Sequence, residues 1–146
     1  MAEPIRPGDR ASVDHVFSTE DVATFVRLSG DDNPIHLDAK ASHAAGFERE
    51  VVHGVLVTSL ISRLLGTRLP GPGTILLGQE LRYRRPVYPG DRVRATVEVN
   101  SVREDKPVVT LRTWVETDEV VLDGEATVVV RALDAGSASD RAKETR

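Results

Sequence analysis

The run VLVTSLISRLL, residues 55–65, closed by Gly66, is the most unusual segment of the chain. Its apolar side chains surround a helical projection instead of lining one stripe, and it is too short for the ~20 residues that cross a bilayer. That combination predicts a helix buried inside a folded domain, so other elements must wrap around it. The segments 74–85, 92–103, 107–117 and 120–131 are rich in Val, Thr and Leu. Turn formers separate them at Pro89-Gly90-Asp91, near Glu104-Asp105-Lys106 and at Asp118-Glu119. A spacing of about 10 to 15 residues with no helix between the segments favours antiparallel pairing. Val93, Ala95, Val97 and Val99 alternate with Arg94, Thr96, Glu98 and Asn100, so one face of that sheet meets solvent. The expected class is α+β, an antiparallel sheet curled around one buried helix. Such a sheet leaves an edge exposed, and a homodimer formed by pairing edge strands would cover it.

Working back from the helix, SVDHVF (12–17) reads as a first strand. Ser18 with Asp21 three residues later is a capping signature, and Val22, Phe25, Val26 and Ser29 then share one helical face until Gly30. Asp31, Asp32, Asn33 and Pro34 are dense turn formers, which sets a polar loop over roughly residues 30–37. Asp38 can cap a short helix through Ala45, closed by Gly46. One domain over residues 1–134 and a polar, disordered tail over 135–146 complete the expected organisation.

Composition narrows the function. The 146 residues are 40% hydrophobic and 29% charged, enough for one core and too few for a second full domain. The opening MAEPIRPGDR lacks the apolar centre of a secretory signal, so a cytoplasmic protein with no membrane partner is expected. With no cysteine, disulfides, thiolate nucleophiles and thiolate metal sites are excluded. A formal charge of −4 and 4% aromatics give no electrostatic or stacking reason to expect nucleic acid.

The chemistry-bearing residues are Asp31, Asn33, Pro34 and His36 in one loop, followed by His53-Gly54 where the buried helix begins. A helix N-terminus offers unpaired N–H groups and a positive dipole end, and glycine allows close approach. Aimed at a carbonyl oxygen, those groups form an oxyanion hole. A carbonyl so held draws electrons from a conjugated double bond, and water can then add to the β-carbon. A carboxylate and an imidazole, as side-chain types, span acid and base strengths useful for that addition near neutrality.

The segments SGDDNPIHLD (29–38), AGFEREVVHGVLVTSLISRLLG (45–66), LPGPGTILLGQELRYRRPVYPGD (69–91) and VREDKPVVTLRT (102–113) closely resemble the MaoC-like, (R)-specific enoyl-CoA hydratases of the hot dog superfamily. The likeness spans roughly residues 10–131 and rests on DxNPxH followed by FxxxxxHG. It implies a hot dog fold and a homodimer with the site near the subunit interface. The implied reaction is reversible hydration of a trans-2-enoyl-CoA to the (3R)-3-hydroxyacyl-CoA, with no metal or other cofactor. In that reading Asp31 and His36 hold and activate water, and the Gly54 N–H binds the thioester oxygen. Asn33 shapes the loop and Ser62 supports the pair.

Plainer readings stand beside these. Asp31 could only cap a turn, and His36 could be a hydrogen-bonded structural histidine. Ser62, with Thr58 and Ser59, could satisfy backbone carbonyls of its own helix. His53 reads as packing or fixing the helix entry. His36, Asp38, His43 and His53 include ligand types, but no compact helical ligand pattern such as HExxH is present. Arg82, Arg84 and Arg85 form the one basic cluster, either a solvated sheet face or, through Arg82 and Arg84, a contact for coenzyme A phosphates. Rival functions are a 3-hydroxyacyl-[acyl-carrier-protein] dehydratase, an acyl thioesterase, or a noncatalytic acyl-thioester-binding subunit.

Overall fold

A computed structural model describes residues 4–133; the expected disordered tail, 135–146, lies outside the described residues. The order is β1 (Arg10–Val16), α1 (Thr19–Ser29), a 3-10 turn (Pro34–His36), α2 (Ala39–Ala44), α3 (Gly54–Thr67), β2 (Thr74–Tyr83), β3 (Arg92–Val102), β4 (Val108–Glu116) and β5 (Val120–Val130). The strands form one antiparallel sheet in the order β1-β3-β4-β5-β2, and α3 packs across its concave face. This is the hot dog arrangement.

Local chemistry sets the element boundaries. At the start of α1 the Asp21 N–H donates to Ser18 Oγ and the Ser18 N–H to Asp21 Oδ2, each at 3.0 Å. Gly30 ends the helix in the left-handed region at φ 77°, where a side chain would be strained. Asp38 caps α2 as expected. The predicted alternation in β3 is realised: Val93, Ala95, Val97 and Val99 face the core beside Val109, Leu111 and Val115 of β4. Thr96 departs from it, being buried on the outer face, where its hydroxyl meets that of Ser12 at 2.9 Å across β1. β1 starts and ends earlier than expected, leaving Phe17 buried just beyond it.

The all-round burial expected of α3 is corrected. Val57, Leu60, Ile61, Leu64 and Leu65 are buried against the sheet, whereas Val55 is 64% exposed and Ser59, Ser62 and Arg63 are exposed too. One sheet has one concave face, so within a single chain it covers one side of a helix and leaves the other open. Full burial of a Leu or Ile side chain contributes roughly 1.5–3 kcal/mol, so the covered side of α3 is a main anchor of the core.

Candidate active site

Gly30 turns the chain out of α1, and the loop that follows is wound by its own side chains. The Asp31 N–H donates to Ser29 Oγ at 3.1 Å. The Asn33 N–H donates to Asp31 Oδ1, and the Ile35 N–H to Asn33 Oδ1, each at 3.3 Å. These successive side-chain turns deliver Pro34 to the first position of the 3-10 turn, where its fixed φ and missing N–H fit. Asp31 and Asn33 thus each close a side-chain turn within the loop.

Three bonds then tie the loop to the strand-like segment before α3. The Val51 N–H donates to the Ile35 carbonyl at 3.1 Å. His36 Nδ1 lies 2.6 Å from the Val51 carbonyl, and His53 Nε2 lies 3.0 Å from the Asp31 carbonyl. A carbonyl only accepts, so each of these ring nitrogens carries the hydrogen, and neutral His36 presents Nε2 as an acceptor. The His36 and His53 rings stack at 3.6 Å between centroids, 23° from parallel, and Phe25 of α1 meets His53 edge-on at 4.7 Å. Asp31, His36 and His53 each bring a carboxylate oxygen or ring nitrogen within 4.8 Å of the others. The sequence places Asp31 and His36 in one loop; the tertiary bonds bring their functional atoms together.

That grouping does not suit a chelated metal. Imidazole lone pairs lie in the ring planes, and two nearly parallel rings 3.6 Å apart direct them side by side instead of toward one point. Asp38 and His43 do not join the three; His43 Nε2 is engaged by the Glu48 carbonyl at 2.6 Å.

His36 and Gly54 both border a cleft of about 470 Å³, with Phe47, Val55, Tyr83 and Val87 among its apolar walls. That volume falls in the range of roughly 300–1,000 Å³ usual for small-molecule sites. Gly54 is the first residue of α3, and the His53 side chain gives that helix no cap. The Gly54 N–H consequently has no acceptor among the described residues. A Cβ at residue 54 would lie 2.6 Å from Cε1 of Tyr83, so glycine is what lets this ring close the cleft wall against the helix start.

The other expected site residues lie farther away. Ser62 is exposed on α3, two helical turns past Gly54, and does not border the cleft. Its neighbours Thr58 and Ser59 do return hydrogen bonds to the carbonyls of Val55 and Leu56, both at 2.6 Å. Arg84 borders the cleft and donates from Nε to Asp123 at 3.0 Å; Arg85 also borders it and pairs with Glu119. Arg82 lies in a separate groove with Glu80, Asp123 and Gly124. Tyr83 is a cleft residue that sequence reading did not single out, and Phe47, the first residue of the FxxxxxHG pattern, borders the cleft as well. For Tyr83 the signal was present, since it stands two residues from Leu81 on the same face of β2, and Leu81 packs on the core.

The MaoC like domain family matches residues 2–121. The chain is 46% identical over 129 residues to the (R)-specific enoyl-CoA hydratase of Aeromonas caviae, covering 87% of this chain and 96% of that protein. It is 42% identical over 131 residues to the (R)-specific enoyl-CoA hydratase of Rhodospirillum rubrum, covering 89% and 91%. The solved (R)-hydratase from A. caviae involved in PHA biosynthesis superposes with a TM-score of 0.84 at 45% identity, over 89% of this chain and 100% of that one. Similarity of this extent, carried by the same sheet, helix and loop that build the cleft, leaves one assignment: the chain belongs to the MaoC-like domain family.

Proposed function

We propose that the protein is an (R)-specific enoyl-CoA hydratase, a hydro-lyase that reversibly adds water to a trans-2-enoyl-CoA to give the (3R)-3-hydroxyacyl-CoA. The observation that carries this reading is the placement of Asp31 and His36 within 4.8 Å of each other, with His36 and the uncapped Gly54 bordering the same cleft. Asp31 and His36 Nε2 grip one water molecule between them. The Gly54 N–H, at the positive end of the α3 dipole, polarises the thioester carbonyl and makes the β-carbon electrophilic. Hydroxyl adds to the β-carbon while a proton reaches the α-carbon from the same side, so the elements of one water are consumed and the pair regains its starting protonation state. Because the Val51 carbonyl holds His36 Nδ1–H, the ring presents Nε2 to the water in the orientation that removes a proton.

Arg84, at the cleft border, is the member of the basic cluster best placed for coenzyme A phosphates, provided they compete with Asp123. We place the protein in the cytoplasm; among the described residues no helix is long and apolar enough to cross a membrane. The functional unit is a homodimer paired through the β2 edge, where Ile75, Leu76 and Leu77 are 47%, 47% and 60% exposed. Light scattering at micromolar concentration should give twice the chain mass; a monomer overturns the dimer.

The purified protein with trans-2-butenoyl-CoA tests the activity. Loss of the enoyl absorbance without release of thiol, and a product of 3R configuration, are expected. Free thiol would identify a thioesterase. Turnover only of the acyl-carrier-protein substrate would identify a carrier-protein dehydratase, and no turnover of either a noncatalytic subunit.

A further inference from the structure

His53 is 2% exposed, and its Nδ1 is buried with no hydrogen-bond partner among the described residues. A buried nitrogen without a partner is unfavourable, and filling the space against Phe25 requires no nitrogen at all. What the imidazole provides beyond packing lies on its other side. Nε2–H donates to the Asp31 carbonyl, and the ring face lies under His36.

We propose that His53 is the positioning residue of this site, an imidazole that holds both members of the pair at once, Asp31 through its backbone and His36 through its ring face. The Asp31 carbonyl requires the Nε2–H tautomer. A second proton would then have to sit on Nδ1, where no acceptor meets it. His36 stacks on the ring of His53, the Asp31 carboxylate lies within 4.8 Å of the two imidazoles, and α1 contributes the apolar Phe25. His36 must carry a positive charge when it takes the proton of water. A neutral ring face beneath it accommodates that charge, whereas a second imidazolium would repel it. Without the Nε2–H bond, the backbone of residue 31 loses its tie to the start of α3. Without the ring, His36 retains only the Val51 bond and can swing about it. Displacement on the scale of 1 Å lowers turnover by about 10²-fold without weakening substrate binding equally.

This inference rests on the hydratase reading, so its test includes a readout independent of activity. Protein labelled with ¹⁵N-histidine should show the His53 ring as the Nε2–H tautomer. An Nδ1–H tautomer at His53 overturns the proposal whatever the protein catalyses. In the enzyme assay, His53→Phe keeps a flat ring and loses the donor, and His53→Gln keeps a donor near the Nε2 position. The expected result is a fall in kcat of about 10²-fold in His53→Phe with KM within about twofold, partly recovered in His53→Gln. Unchanged kcat in both variants overturns it. So does a loss in kcat that tracks a fall in Tm across the two. Absence of hydratase activity in the unaltered protein instead refutes the function and leaves the histidine measurement standing on its own.

Discussion

At the start of α1, Ser18 and Asp21 exchange two hydrogen bonds of 3.0 Å, whereas at the start of α3 His53 offers no side-chain cap and turns its ring to the Asp31 loop. Both helices begin with backbone N–H groups that no helical carbonyl can reach. α1 satisfies them from within four residues and gains stability. α3 leaves Gly54 open at a cleft, and its first turn is supported from outside by the sheet and by a loop 17–22 residues away in sequence. The contrast separates a helix end built to hold the fold from one built to receive a ligand's oxygen.

The comparison can be broken at each end. At the site, Asp31→Asn and His36→Ala should each lower turnover with trans-2-butenoyl-CoA by about 10²-fold or more with little change in Tm, since an acid or base is removed from a partly exposed position. Full activity in both would remove the pair from the mechanism. At the α3 start, Gly54→Ala should fold, because the Tyr83 ring it meets is half-exposed and alanine suits a helix better than glycine. Turnover should still fall by about tenfold, as the new methyl group narrows the approach to the N–H. Wild-type turnover would show that nothing needs to come close to residue 54.

At the α1 start the effects should invert. Ser18→Ala removes the capping box and should destabilise the protein by about 1 kcal/mol in denaturant unfolding, with kcat unchanged. A drop in kcat would mean that α1 and the Asp31 loop move together, and the two helix ends would not be separable.

The smallest effect is expected on the outer face of the sheet. Arg94 and Arg92 hydrogen-bond the Asp14 carboxylate and hold its pKa down to about 2 from an ordinary 3.8. A carboxyl whose pKa falls on folding adds stability that is fully present above its unfolded value and is lost as pH drops through about 2. Asp14 faces solvent, so Asp14→Asn should lower Tm near neutrality only slightly, by less than about 4 °C, with no change in kcat. The gap to the wild-type protein should close as the pH is brought down toward 2. A gap that persists there would assign the loss to packing instead of charge.

Legibility followed the reach of each interaction. The Ser18–Asp21 box, the stop at Gly30, the Asp38 cap and the alternation of β3 are settled by contacts within a few residues or by a period of two, and each was readable in the chain. The four later strands matched their expected segments to within a few residues for the same reason. α3 was recognised as the central helix, yet its exposed side at Val55, Ser59 and Ser62 was not, because hydropathy reports what a side chain prefers and not which neighbour is available. The cleft walls at Phe47 on one stretch and at Tyr83 and Arg85 on another become neighbours only through closure of the fold around Gly54.

The chain on its own determined the elements, their antiparallel class and the loop that carries Asp31 and His36, since capping, turn formation and periodicity are short-range effects. Only the tertiary structure decided which nitrogen of His36 and of His53 holds the hydrogen, that His53 lies beneath His36, and that Gly54 opens onto a cleft. Those features depend on carbonyls and rings brought from 15 or more residues away, and no local rule of residue type or spacing encodes where such partners will meet.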